Sequence, residues 1–160
     1  MRKHRSKARH IFAEQLKTKG INVCGIQEAR THQGVSRIGD LGVCSSGCKS
    51  TPAGAPYQGI ELWINVVKPL GKGLAPLDCG SLVVTFRDPR LLVARYHSGP
   101  LTCTFIVAHA PPADTPESER SDFWDTITFQ VEGSPCPIVL IDANARLGSV
   151  ASEGVGTLGL

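Results

Sequence analysis

No uninterrupted apolar run in this sequence approaches the roughly 20 residues that a membrane-spanning helix needs, so a transmembrane helix is excluded. The basic N-terminus is followed by no apolar stretch of the kind that completes a secretory signal. There is no internal repeat. Charged residues make up only 19% of the chain against 41% hydrophobic residues, a balance too apolar for wholesale disorder. What remains is a chain of 160 residues, about one domain, long enough to bury roughly 70% of its unfolded surface. These features predict an intracellular globular domain, or a piece of one, with no membrane partner.

The formal net charge of +3 is unevenly spread. Arg2, Lys3, Arg5, Lys7 and Arg9 fall within the first ten residues with no acid among them, and the rest of the chain holds 12 basic against 14 acidic residues. A terminal basic run of this kind serves as a nuclear address or a phosphate-binding arm, and it is equally the solvated start of a helix. Six cysteines, Cys24, Cys44, Cys48, Cys79, Cys103 and Cys136, are an even number. Without a secretory signal, reduced thiols and no disulfide partner are expected. Cys24 and Cys103 lie inside apolar runs and read as small buried hydrophobes. Cys44 and Cys48 have no second pair at zinc-like spacing.

Hydrophobic periodicity predicts a mixed α/β order. A helix is expected from about Ser6 to Lys19, closed by Gly20. Strands are expected over Ile21–Ile26, Gly59–Val67, Gly80–Arg87, Leu91–His97, Leu101–Ala108 and Pro137–Ile141. Asp88-Pro89-Arg90 reads as a hairpin turn between the two strands that flank it. The Gly/Ser/Cys-rich stretch from Gly34 to Pro56 reads as turns with one short strand near Leu41–Cys44. A second helix is expected to about Phe129, with Thr115 as N-cap, Pro116 at the first helical position and acids in the first turn. Phe105–Ala108 and Ile138–Ile141 read as buried on both faces. Residues 1–10 form a basic segment, 11–148 a domain and 149–160 a Gly-rich tail.

Three apolar strands end in polar residues. Val23-Cys24-Gly25-Ile26 runs into Gln27-Glu28, Phe105-Ile106-Val107-Ala108 into His109, and Ile138-Val139-Leu140-Ile141 into Asp142-Ala143-Asn144. Ligands gather where strands end and loops begin. Asp142 and Asn144 are two apart, so an extended segment points both to one side. Two carboxylates and an amide make an oxygen-rich site, suited to a hard divalent cation such as Mg²⁺ and through it to phosphate chemistry. Each residue also has a plainer reading. An acid just past a strand serves as a solvated turn residue or a helix cap, and a lone histidine as a hydrogen-bonded structural group.

Ile21-Asn22-Val23-Cys24-Gly25-Ile26-Gln27-Glu28-Ala29-Arg30 resembles the apolar-run Gln-Glu-Thr motif of the endonuclease/exonuclease/phosphatase family. Within it the apurinic-type endonucleases of non-LTR retrotransposons are most similar. Ile138–Arg146 resembles the family's Gly-Asp-Phe-Asn-Ala motif, and Phe105–Pro111 its Tyr-Ala-Pro strand end. Gly59–Ile64 matches the strand expected between them, and the resemblance covers about Ile11 to Gly148. It implies a two-sheet β-sandwich flanked by helices, DNase I-like, and a Mg²⁺- or Mn²⁺-dependent phosphodiester hydrolase with DNA as substrate. It implies Glu28 as metal ligand, Asp142 as the group that orients the attacking water, and Asn144 as the holder of the scissile phosphate. It places His109 near that phosphate. Arg2, Lys3, Arg5, Lys7, Arg9 and Arg146 are the candidate nucleic-acid contacts, and a nuclear location would suit that substrate.

The sequence departs from the pattern in places. Ala29 stands where Thr is common, Ile141 precedes Asp142 in place of Gly, and Pro112 stands near where many members have Asn. The family's Asn-bearing first strand and its Ser-Asp-His motif have no counterpart here, so the resemblance implies an incomplete domain, a retroelement-derived fragment from the middle of the fold. Three readings follow. One is a DNA endonuclease. Another is an inactive remnant or nucleic-acid-binding module that lacks the general-base Asp-His pair. The third is a phosphatase of the same family.

Overall fold

The computed structural model describes residues 2–69, 73, 75–76, 82–98 and 101–144, and for residues 2–6 the backbone alone. The elements are α1 (Arg2–Thr18), β1 (Val23–Ile26), β2 (Gly34–Ile38), β3 (Leu41–Ser45), β4 (Lys49–Ser50), β5 (Pro56–Tyr57), β6 (Glu61–Asn65), β7 (Leu82–Asp88), β8 (Leu91–Ser98), β9 (Leu101–His109), α2 (Glu117–Glu132) and β10 (Pro137–Asp142). One four-stranded sheet has the order β1-β6-β3-β2 and the other β10-β9-β8-β7, with β4 and β5 as a separate pair. All pairings are antiparallel except that of β10 with β9.

Alternation along the strands divides the apolar residues among three clusters. Cys44, Ile60, Leu62 and Ile64 of the first sheet pack against Leu92, Ala94, Tyr96, Cys103, Phe105 and Val107 of the second. The residues one step along face outward and receive the helices. Leu41, Val43 and Trp63 take Ala13 and Leu16 of α1, with Phe12 set edge-on to Trp63 at 5.3 Å between centroids. Leu91, Val93, Ile106 and Ala108 take Phe123, Ile127 and Val131, which recur every four residues on one face of α2. The two-sheet arrangement with a helix on each outer face agrees with the expectation from sequence.

Several local expectations are corrected. The first helix begins at Arg2, ahead of the expected Ser6, and takes in the basic run, in keeping with its reading as a helix start. The helix ends as expected: Gly20 adopts φ 67, and Ile21 N–H reaches Leu16 O at 2.9 Å while Gly20 N–H reaches Lys17 O at 3.1 Å. The segment read as turns contains β2, β4 and β5 in addition to β3. Among the described residues β2 is an outer strand of its sheet, with Val35, Ser36 and Arg37 all exposed, so it carries a weak apolar signature. Pro116, not Thr115, is the N-cap of α2, and no side chain caps it. Phe105–Ala108 is fully buried, but Ile138 and Val139 are each 39% exposed. Among the described residues β10 is an outer strand, bonded to β9 alone. The described cysteines Cys24, Cys48, Cys103 and Cys136 are free thiols, and Cys79 lies outside the described residues. No helix of the described residues is long and apolar enough to cross a membrane.

Candidate active site at three strand ends

Strands β1, β9 and β10 end side by side. The parallel register of β10 on β9 places Asp142 opposite His109. Strand β1 belongs to the other sheet, yet Gln27 just past its end bridges the gap. Its amide donates to Ala108 O at 3.3 Å and to Leu140 O at 3.4 Å. Gly25 permits this approach, because a Cβ there would lie 2.7 Å from Val107 Cγ1 and 2.9 Å from Leu140 Cβ. Sequence reasoning singled out Gln27 only as part of a motif. Its work as a tie between the sheets is a long-range contact with no local signal.

His109 stands between two carboxylates. Its Nδ1 lies 3.6 Å from Glu28 Oε1 and its Nε2 3.9 Å from Asp142 Oδ2. The imidazole side chain is only 12% exposed, while those of Glu28 and Asp142 are 42% and 52% exposed. The Nδ1 atom is buried and has no hydrogen-bond partner. Such an atom costs stability unless something reaches it, so a small shortening of the contact with Glu28 is favoured. The same histidine can then pass a proton along the carboxylate-imidazole-carboxylate line.

Local geometry fixes the flanking groups. Asp142 Oδ1 accepts the Asn144 N–H at 3.0 Å, an Asx turn, and Asn144 adopts φ 46, a conformation that Asn tolerates. The Asn144 side-chain amide donates to Ala110 O at 2.6 Å, and Ala110 N–H donates to Asp142 O at 2.8 Å. One N–H of the Asn144 amide group is left for a ligand. Glu28 Oε2 accepts from Arg30 Nε at 3.3 Å and from a terminal nitrogen at 3.1 Å. Glu28 and Arg30 both lie in left-handed backbone, at φ 54 and 53.

The chemistry of the donor set suits Mg²⁺ or Mn²⁺. Glu28 and Asp142 offer exposed carboxylate oxygens and Asn144 an amide, all hard donors. Among the described residues no group of three His, Cys, Asp or Glu side chains stands ready as a cage. An ion held here would draw on the exposed carboxylates of Glu28 and Asp142 and keep much of its own water.

The basic candidates fare differently. Lys7 is exposed on α1. Arg9 turns inward: it pairs with buried Glu61 at 2.8 Å and lies 5.2 Å from the centroid of the Trp63 ring. Glu61 also accepts from Thr31 Oγ1 and Trp63 Nε1, both at 2.8 Å. This buried node was missed in the sequence, where Glu61 is one polar residue in an alternating strand. The side chains of Arg2, Lys3 and Arg5, and Arg146 with the whole 149–160 tail, lie outside the described residues. A groove of about 500 Å³ runs from Glu28 and Arg30 past Ile26 to Arg9 and Phe12.

Compared with known proteins, the chain matches no family model, and no curated protein matches it.

Proposed function

We propose that the three strand ends form the site of a divalent-cation-dependent phosphodiester hydrolase on a DNase I-like fold, with DNA as substrate, of the retroelement endonuclease type. The observation that carries this reading is His109, which sits within 4 Å of both Glu28 and Asp142, residues 114 apart in the chain. Nothing in the packing of the core requires two acids and a histidine to meet at an exposed rim.

In this reading Glu28 holds Mg²⁺, assisted by Asp142. When bound there, such an ion would supply polarisation of a phosphoryl oxygen and would offset its developing charge. Asp142 orients the attacking water through its exposed carboxylate. His109 moves a proton, taking it at Nε2 on the Asp142 side while Glu28 steadies Nδ1. Asn144 donates its remaining amide hydrogen to the scissile phosphate. Exposed Lys7 contributes to backbone affinity, which falls with salt. A binding module without turnover is the second reading. One observation favours it: Arg30 already occupies Glu28 Oε2.

Nicking of supercoiled DNA by the purified chain separates the two. The hydrolase reading expects nicking in Mg²⁺ that stops in chelator and falls by roughly 10²–10⁴-fold in His109→Gln. It expects similar losses in Glu28→Gln and Asp142→Asn. Salt-sensitive DNA binding with no nicking in either metal supports the second reading. Nicking that persists in chelator contradicts the first.

A further inference from the structure

Arg90 closes the turn between β7 and β8, and its contacts reach both the end of β9 and the Glu28 turn. With the Gln58 amide turned so that its oxygen faces the guanidinium, the orientation that satisfies both groups, the Arg90 Nε and one terminal nitrogen donate to that oxygen at 3.0 and 2.8 Å. Its other terminal nitrogen donates to the carbonyls of His109 at 3.4 Å and Ala110 at 3.2 Å. The Arg90 carbonyl accepts the His109 N–H at 2.9 Å. Gln58 in turn carries the Glu28 turn: its backbone carbonyl accepts the Arg30 N–H at 2.9 Å, and the carbonyl of Gly59 accepts the Ala29 N–H at 2.9 Å. Gly59 N–H closes the circuit on Pro89 O at 2.9 Å.

Two further facts give this circuit a purpose. Glu28, Arg30 and Gln58 are all non-glycine residues in left-handed backbone, at φ 54, 53 and 59. Such conformations persist where surrounding bonds over-determine them, and they gather at functional sites. Moreover, although the Asp88 carboxylate accepts the Arg90 backbone N–H at 2.9 Å, no carboxylate of the described residues forms an ion pair with its guanidinium, which donates to three neutral oxygens. A planar fork can span acceptors on two chain segments at once, whereas a lysine is a single point of charge.

We infer that Arg90 is a positioning residue: its guanidinium ties the Glu28 turn, through Gln58, to the end of β9 and so sets the Glu28–His109 separation. The inference rests on the proposed reading of Glu28 and His109 as parts of one reacting site.

The test uses Arg90→Lys, Arg90→Ala and Gln58→Asn. The last breaks the same contact from the opposite side with a shorter amide that accepts left-handed backbone. Amide hydrogen exchange is followed by NMR, and DNA nicking alongside it. Exchange at Ala29 and Arg30 is expected to speed by about tenfold or more in all three variants, while Leu62 and Ile106 in the core strands keep their protection. Free guanidinium at tens of millimolar restores protection in Arg90→Ala, and ammonium does not. Nicking falls by about 10²-fold in kcat with little change in KM, as expected for a displaced group rather than lost binding. Unchanged exchange at Ala29 and Arg30, or full protection with lysine in place, overturns the inference. Should the wild-type chain cleave nothing while the exchange pattern appears as expected, the clamp stands and the hydrolase reading fails.

Discussion

Replacing Gly25 with alanine tests the link between the sandwich and the site. The added methyl would sit 2.7 Å from Val107 Cγ1 and 2.9 Å from Leu140 Cβ, where ordinary contact begins near 3.4 Å. The shortfall is about 0.7 Å, and Leu140 Cβ cannot move aside without its backbone. Strand β1 must therefore lift from β9 and β10. Overpacking of this kind costs about 1–3 kcal/mol, and two close neighbours place Gly25→Ala toward the upper end. In a domain of this size that lowers Tm by roughly 4–10 °C. The displacement also falls just ahead of Gln27, whose bonds to Ala108 O and Leu140 O at 3.3 and 3.4 Å have little length to spare. The assay is urea unfolding of Gly25→Ala, Val107→Ala and the double variant. Removing Val107 Cγ1 relieves part of the clash, so the double variant is expected to be more stable than the sum of the single effects implies. Gly25→Ala at wild-type stability, or strict additivity with Val107→Ala, would refute the close approach of β1 on which the site depends.

Other consequences follow from the same packing. Glu61→Ala leaves half-buried Arg9, Thr31 and Trp63 Nε1 without their shared acceptor, and the unsatisfied donors are expected to cost about 1–3 kcal/mol in urea unfolding. The hydrogen bond to Lys17 holds the Asp40 carboxyl below its ordinary 3.8, so its contribution is present above that pH and lost as the pH falls through the lowered value. The same contact raises Lys17 above 10.5, so that half is present below 10.5 and lost as the pH climbs. Stability of Asp40→Asn should differ from wild type only by a small, salt-sensitive amount between these limits. Burial pushes the Cys103 thiol up and keeps it protonated, whereas Cys136 is exposed. Cys136→Ser should remove about one equivalent of native-state labelling by a thiol reagent, and Cys103→Ser none.

Much of the architecture was legible because burial wrote it into local pattern. Leu91–Ala94 and Cys103–Ala108 are buried on both faces of their sheet, and Phe123, Ile127 and Val131 mark one face of α2. The strand ends at Glu28, His109 and Asp142 were legible for the same reason, since each follows an apolar run. What escaped was everything that depends on partners far away in the chain. Among the described residues β2 is an outer strand, which leaves Val35, Ser36 and Arg37 exposed, and β10 is another, which leaves apolar Ile138 and Val139 partly exposed. The pairing of Arg9 with Glu61 spans 52 positions, and the Arg90 fork joins segments from three parts of the chain. Spacing along a sequence carries no sign of either. Arg9 read as a free cation because its run is basic, but only the fold brings Glu61 beneath it.

The central claim is that three strand ends form one cation-dependent site, and a titration with Mn²⁺ followed by NMR tests it most directly. Paramagnetic broadening falls off steeply with distance. If the claim holds, the amides of Glu28, Ala110 and Asn144 broaden together at low Mn²⁺, and Glu28→Gln abolishes the effect at all of them. Broadening confined to one of these segments, or none that is selective for them, would contradict it.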